Sequence, residues 1–187
     1  MTRFVYNTAC TLNGYLADEH DSLSWLFVVP GAAEAENEMA EFIPGIGAMV
    51  LGATTYEWVL ENEERKNPGS WAEAYGAMPT FVATHRQIEA PVGGDVRFVS
   101  GGVAQWVDQV VDAAAGKDVW VMGGGDLVGQ FDDAGLLHEV RVSIAPVVLP
   151  AGRPLLPRRI ESDRLHLEGV RQAGQFAELT YRVTRPA

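Results

Sequence analysis

Apolar residues along the chain recur with two different spacings, and the succession of these spacings predicts strands and helices in alternation. Short runs rich in β-branched and aromatic residues predict strands; they lie at residues 3–10, 46–52, 80–86, 95–100 and 118–123. The run IGAMVLG at 46–52 is continuously apolar between glycines. Such a run indicates a strand with layers packed on both of its faces.

Helical spacing of apolar residues appears between these runs. The clearest stripe runs from Val103 to Ala114, with Ser100 as a possible N-cap and Gly116 after the last turn. A second stripe covers Ala32 to Ile43 and is ended by Pro44-Gly45. Further helices are predicted to begin at Thr54 or Thr55 and after the glycines at 123–125, with one helical turn at Trp71 to Tyr75.

The C-terminal third returns to strand patterns. Residues 137–149 predict one strand, and residues 164–185 alternate on either side of Ala173-Gly174, which is typical of an antiparallel hairpin. Strands that alternate with helices imply parallel crossovers. The fold class is therefore α/β, with a mixed, mostly parallel central sheet, flanking helices and a C-terminal antiparallel hairpin, in a single domain over residues 1–187.

Composition and charge remove several function classes. The chain has 14 Lys and Arg against 25 Asp and Glu, a net charge of −11, and nucleic-acid binding proteins normally carry the opposite sign. No apolar stretch is long enough to cross a bilayer. The single cysteine, Cys10, excludes an internal disulfide and fits a reducing cytoplasm. His20, His138 and His166 are too scattered to predict a metal site.

Three consecutive glycines, Gly123 to Gly125, stand between a predicted strand and a predicted helix. One interpretation is a tight turn that requires positive φ. The other is an anion-binding turn, in which a Cβ would hold phosphate oxygens away from the amides at the helix N-terminus. Known phosphate-loop patterns do not decide between them, because Val128 stands where the dinucleotide fingerprint needs Gly or Ala and no Gly-Lys-Ser/Thr element occurs.

Several segments, taken in order, resemble one family. They are TLNGYLA (11–17), DSLSWL (21–26), MVLGATTYE (49–57), FVATHR (81–86), VWVMGGGDLVGQF (119–131) and LLHEVRVSIAPVVLPAGRPLLP (136–157). The chain resembles the dihydrofolate-reductase-like fold and, within it, the reductase domain of riboflavin biosynthesis, the C-terminal domain of the bifunctional deaminase-reductase, as a stand-alone bacterial relative. The resemblance implies a three-layer fold and a cytoplasmic homodimeric enzyme that reduces a small heterocycle with NADPH, with NADH not excluded.

The resemblance also implies a set of cofactor-binding residues, with a cis peptide bond between the first two glycines. Those residues are Ala9, Leu16, Ala17, Gly52, Ala53, Thr54, Thr55, Thr84, His85, Arg86, Gly123, Gly124, Gly125, Asp126, Leu127, Val128 and Gln130. Ala53 departs from the family pattern, since many relatives have Arg there and a cationic phosphate contact is absent. Asp126 would repel a phosphate unless its carboxylate points away.

The sequence identifies the substrate-binding residues and the catalytic acid less clearly than the cofactor-binding residues. Asn13, Trp25 and Tyr56 are predicted to bind the substrate, although Asn13 replaces the Asp that riboflavin-type reductases usually have there. Glu38 and Glu41 flank the apolar stripe of the first predicted helix and are the candidates for a catalytic acid. Acidic residues on such a helix usually face water, so the sequence does not identify which residue is the acid. Two alternatives stay open: a dihydrofolate reductase, and a non-catalytic nucleotide-binding module.

Overall fold

The computed structural model describes residues 2–30 and 39–185. The strands in this part of the chain are β1 Phe4–Thr11, β2 Tyr15–Ala17, β3 Ile46–Gly52, β4 Thr80–Ala83, β5 Val96–Val99, β6 Asp118–Gly123, β7 Leu137–Ala145, β8 Arg153–Pro154, β9 Leu165–Ala173 and β10 Phe176–Val183. The helices are α1 Ala53–Val59, which continues as a π-helical turn over Leu60–Glu64, α2 Ser70–Tyr75, α3 Val107–Ala113 and α4 Gly125–Asp133, with 3₁₀ turns at Ile43–Gly45 and Val103–Gln105.

Eight strands form one sheet in the order β5-β4-β3-β6-β1-β7-β10-β9. From β5 to β7 every neighbouring pair is parallel, whereas β10 is antiparallel to both β7 and β9. Strands β2 and β8 pair separately as a small antiparallel sheet. The predicted mixed, mostly parallel sheet with a C-terminal hairpin is confirmed.

Each central strand buries side chains on both faces of the sheet, because successive residues point to opposite sides. On β3, Val50 belongs to the apolar cluster that includes residues of α3 and α4. Its neighbours Met49 and Leu51 belong to the cluster that includes residues of α1 and α2. The molecule therefore has three layers, helix, sheet and helix, which explains the continuously apolar sequence of β3.

Several element boundaries differ from the sequence predictions. The helix expected over Val103 to Ala114 is broken at Trp106, whose backbone is non-helical (φ −134°, ψ −3°) and whose buried indole donates to the carbonyl of Gly101. Ser100 caps neither piece. The strand expected over 137–149 ends at Ala145, before Pro146. The helix expected over 32–43 falls largely outside the described residues, and residues 39–42 are helical.

The parallel strands bring their carboxyl ends to one edge of the sheet. Leu51 pairs with Gly123, and Gly52 pairs with Ala83, so β3, β4 and β6 end side by side. Helices α1 and α4 begin directly after β3 and β6. Ligands of open α/β sheets bind at this kind of edge, where helix N-termini offer unpaired N–H groups.

Candidate active site

A cavity of about 740 Å³ lies at this edge of the sheet. Its wall is formed by the carboxyl ends of the parallel strands, the first turns of α1 and α4, and residues of the segments 16–26 and 153–157. A volume of this size lies within the range of small-molecule and cofactor sites. The cavity is called the cleft below.

Most of the predicted cofactor residues line the cleft together. They are Ala9, Leu16, Ala17, Gly52, Ala53, Thr54, Thr55, Thr84, His85, Gly123, Gly124, Gly125, Asp126, Leu127 and Gln130. Two others do not line it. Val128 is fully buried in the core under α4, and the Arg86 guanidinium donates to the Glu57 carboxylate at 2.7 Å. The assignment of these residues to a cofactor stays a prediction.

The three glycines differ in what the protein imposes on a side chain at each position. Gly123 has φ +143°, a conformation that side chains disfavour, and its peptide bond to Gly124 is cis, as the resemblance implies. At Gly125 an added Cβ would lie 2.4 Å from the carbonyl oxygen of Pro154 and 2.5 Å from that of Leu155, so the protein itself excludes a side chain there. At Gly124 an added Cβ would meet nothing within 4 Å. Only at Gly124 does a side chain have open space, on the wall of the cleft.

The negative charge of Asp126, next to the glycines, is compensated inside the protein. Its carboxylate accepts from the Gln130 amide at 3.1 Å and pairs with the Arg158 guanidinium at 3.1 Å. The hydrogen bond from Gln130, together with Arg158, lowers the pKa of Asp126 below its usual value. Arg158 also binds Asp133 at 2.9 Å, so it ties both ends of α4 to the segment after β8. The predicted repulsion between Asp126 and an anion is thereby reduced.

A loop that contains Asp18 to Ser22 contributes to the wall of the cleft and is bound to β8. Within the loop, Asp18 accepts from the backbone N–H groups of His20 and Ser22, at 2.8 and 2.9 Å, and these bonds lower the pKa of Asp18. Asp21 then binds Arg153 of β8 through two hydrogen bonds, at 2.6 and 2.9 Å. Both Asp21 and Arg153 line the cleft. No local sequence signal relates these two residues, since they are 132 positions apart.

Of the predicted substrate residues, Trp25 alone lines the cleft. Trp25 is 7% exposed, and its indole N–H has no hydrogen-bond partner in the described structure. Asn13 instead stabilises a turn. Its side-chain N–H donates to the carbonyl of Leu149, and its side-chain oxygen accepts from the backbone N–H of Leu149 and from the hydroxyl of Thr11. Tyr56 is a fully buried core residue whose hydroxyl donates to the carbonyl of Glu89 at 2.8 Å. Its aromatic character signalled burial rather than ligand contact.

Of the two candidate acids, only Glu41 belongs to the described part of the chain, and it does not line the cleft. Glu38 lies outside the described residues. Glu41 is exposed and lines a second cavity of about 410 Å³, beside β7, β9 and β10. Asp21 and Asp126 are the carboxylates that line the cleft in the described part of the chain, and both are paired with arginines.

No group of three or more His, Cys, Asp or Glu side chains within 2–30 and 39–185 could hold a metal ion. In these ranges no helix combines the length and the apolar character that crossing a bilayer requires.

The sheet order, the three layers and the cleft define a dihydrofolate-reductase-like α/β protein. The family model of the RibD C-terminal domain matches residues 3–177, and the chain belongs to this family of NAD(P)H-dependent reductases. The uncharacterized protein YwjB of Bacillus subtilis (strain 168) is 28% identical over 92% of this chain and 93% of its own length.

Solved structures share the fold at lower identity. A Shewanella sp. PV-4 protein assigned to riboflavin biosynthesis has a TM-score of 0.77 at 23% identity, over 99% of this chain and all of that one. The Thermotoga maritima diaminohydroxyphosphoribosylaminopyrimidine deaminase/5-amino-6-(5-phosphoribosylamino)uracil reductase has a TM-score of 0.70 at 12% identity, over 97% of this chain and 56% of its own. Dihydrofolate reductase from Enterococcus faecalis, complexed with NADP(H), has a TM-score of 0.56 at 13% identity, over 97% of this chain and 96% of its own.

Proposed function

We propose that this protein is an NADPH-dependent reductase of a small conjugated heterocycle. The observation that carries the proposal is the open space at Gly124, on the wall of a cleft large enough for a cofactor, where a Cβ would meet no protein atom. Side-chain-free amides at the start of a helix suit the diphosphate of a dinucleotide. A substituted 5-aminouracil, the kind of compound named for the Thermotoga protein, is the first substrate to test.

The residues of the cleft fit the binding of such a cofactor. Ala9, Leu16 and Ala17 line the cleft, and the family resemblance implies that they contact the nicotinamide, which supplies the hydride when bound. Apolar side chains there exclude water and hold the two reacting carbons close, at roughly 3 to 3.5 Å. Positioning is then the main contribution of the chain, which agrees with the absence of an unpaired carboxylate among the described residues that line the cleft.

Trp25 is the residue that we assign to the substrate. Its ring lines the cleft, so a conjugated heterocycle can stack on it. Trp25→Leu keeps an apolar side chain and removes the ring face, so KM for the heterocycle rises about two- to tenfold while the Kd for NADPH stays constant. Trp71→Leu is the matched control, because Trp71 is also a buried tryptophan but does not line the cleft.

The first experiment follows thermal unfolding during titration with NADPH and with NADH. A ligand at a hundred times its Kd stabilises the folded chain by about 2.7 kcal/mol. Oxidation of NADPH is then measured with a 5-aminouracil derivative and with dihydrofolate. Turnover of dihydrofolate with inhibition by methotrexate would establish the dihydrofolate reductase alternative. No stabilisation by either cofactor would refute the proposal and favour the non-catalytic alternative.

We further propose that the enzyme works in the cytoplasm as a homodimer. Strand β9 is an edge of the sheet, and it exposes Leu167 and Val170 to solvent, at 54% and 69% of their surfaces. An unpaired edge with apolar side chains favours association with a second copy. Sedimentation of the wild type and of Val170→Lys tests this: the wild type sediments as a dimer and the variant as a monomer, and a monomeric wild type would refute it.

A further inference from the structure

We propose that Glu57 sets the cofactor preference of the enzyme by holding Arg86 away from the part of the cleft that Thr84 and His85 line, which the family resemblance implies is the adenosine end, at the 2′-phosphate. This inference rests on the proposed function, since it concerns how the same cleft distinguishes NADPH from NADH. The two cofactors differ only in the phosphate on the adenosine 2′-hydroxyl. A residue that controls a cation near this position therefore controls the preference.

The turn after β4 ends beside the cleft, but its arginine is directed elsewhere. Thr84 and His85 line the cleft, whereas Arg86 does not. The backbone N–H of Arg86 donates to the Thr84 hydroxyl at 2.9 Å, which fixes the turn, and its guanidinium donates to the Glu57 carboxylate at 2.7 Å. The cation lies one residue from the cleft and is bound to a carboxylate of α1.

Glu57 is placed one helical turn beyond the residues of α1 that line the cleft. Ala53 and Thr54 line it, and Glu57 follows them at positions i+4 and i+3, on the same side of the helix. Ala53 brings no cation of its own to this wall. Among the described residues that line the cleft, the basic side chains are His85 and Arg153, and Arg153 is bound to Asp21.

The carboxylate of Glu57 opposes the binding of a 2′-phosphate in two ways. It competes for the Arg86 guanidinium, which pairs well with phosphate, and it repels a group that carries nearly two negative charges. A free 2′-hydroxyl carries no charge, so NADH is not opposed. Removal of the Glu57 charge should therefore tighten NADPH and leave NADH unchanged.

The size of the effect follows from the exposure of the pair. The side chains of Arg86 and Glu57 are 55% and 35% exposed, and ion pairs of such exposure contribute little, so a change in Kd of about two- to fivefold is expected. Glu61 provides a matched control. It pairs with Arg65 at 3.4 Å on the π-helical continuation of α1, with both side chains exposed, and neither residue lines the cleft.

The experiment measures Kd by calorimetry for NADPH, NADH, 2′,5′-ADP and 5′-AMP. In Glu57→Gln the two 2′-phosphorylated ligands bind about two- to fivefold tighter, while NADH and 5′-AMP change less than about twofold. The gain disappears in the double variant Glu57→Gln/Arg86→Gln, because the cation that it releases is absent. Glu61→Gln leaves all four values unchanged.

The sign of the change separates this role from a structural one. If the pair only holds the turn after β4 in place, Glu57→Gln weakens all four ligands together, and the inference is refuted. Unchanged affinities in Glu57→Gln with normal binding of NADPH by the wild type would also refute it, and the proposed function would stand. If the wild type binds neither NADPH nor NADH, both proposals fail.

Discussion

The glycine turn allows two alanine substitutions, one residue apart, with opposite consequences. In Gly125→Ala, the new Cβ would lie 2.4 and 2.5 Å from two backbone carbonyl oxygens, about 1 Å closer than an ordinary contact. Backbone atoms of β8 and the residue after it must then move, and such overpacking costs about 1–3 kcal/mol or more. For a chain of 187 residues this lowers Tm by roughly 3–10 °C.

In Gly124→Ala the folded chain loses nothing comparable. The added Cβ meets no atom within 4 Å, and φ at this position is −82°, which alanine adopts readily. We therefore expect the unfolding free energy to stay within about 1 kcal/mol of the wild type. In the proposed binding mode, the methyl group instead stands where the diphosphate approaches the amides. Loss of one charge-assisted hydrogen bond, about 1.5–3 kcal/mol, weakens NADPH about 10- to 150-fold.

Thermal unfolding with and without NADPH measures both effects in one assay. At a concentration of a hundred times the wild-type Kd, the wild type gains about 2.7 kcal/mol, and a variant with a hundredfold weaker Kd gains only about 0.4 kcal/mol. Gly124→Ala should therefore unfold normally and respond little to NADPH, whereas Gly125→Ala should unfold early. A Gly124→Ala variant that binds NADPH like the wild type would refute the placement of the diphosphate at this turn.

Two further predictions concern buried polar groups. Asp132→Asn breaks a buried ion pair, in which the side chains of Asp132 and Arg164 are 6% and 17% exposed, and should lower the unfolding free energy in urea by about 2–4 kcal/mol. Asp95→Asn, in an exposed pair with Arg97, should lower it by less than about 1 kcal/mol. Equal losses in the two variants would contradict the argument. Burial raises the pKa of Cys10 from 9.0 to about 11, so the folded thiol should resist a thiol-labelling reagent at pH 8 until urea exposes it. Because the unfolded chain releases this proton first, stability should fall between pH 9 and 11, and rapid labelling of the folded chain would refute the assignment.

Local patterns predicted the fold because its elements are short and their apolar spacing is regular. Strand β3 shows this clearly. A continuously apolar strand exposes apolar side chains unless helices cover both faces of the sheet, and both faces are covered here. The interruption at Trp106 was not predictable, because it depends on a hydrogen bond from a buried indole rather than on helix propensity.

Residues of the candidate site were predictable from the sequence where the backbone conformation restricts the residue type. Ion pairs between residues far apart in the sequence were not predictable. The glycines at 123–125 were visible because backbone geometry and close contacts restrict these positions. The pairing of Asp21 with Arg153, and that of Glu57 with Arg86, joins residues 132 and 29 positions apart, and no spacing rule connects such partners. Tyr56 was assigned to the substrate from its aromatic character, which in this fold serves the core.

The contact of Gly125 with the carbonyls at 154 and 155 has a consequence for the newly made chain. The Tyr6 hydroxyl also donates to the carbonyl of Leu155, at 2.9 Å, so the wall of the cleft joins segments from the beginning, the middle and the end of the sequence. A polypeptide still being synthesised has its first strands and the glycine turn long before it has residue 155. The proposed dinucleotide site is therefore complete only after residues 154 and 155 have been made, and a bound cofactor would stabilise only a chain that has folded that far.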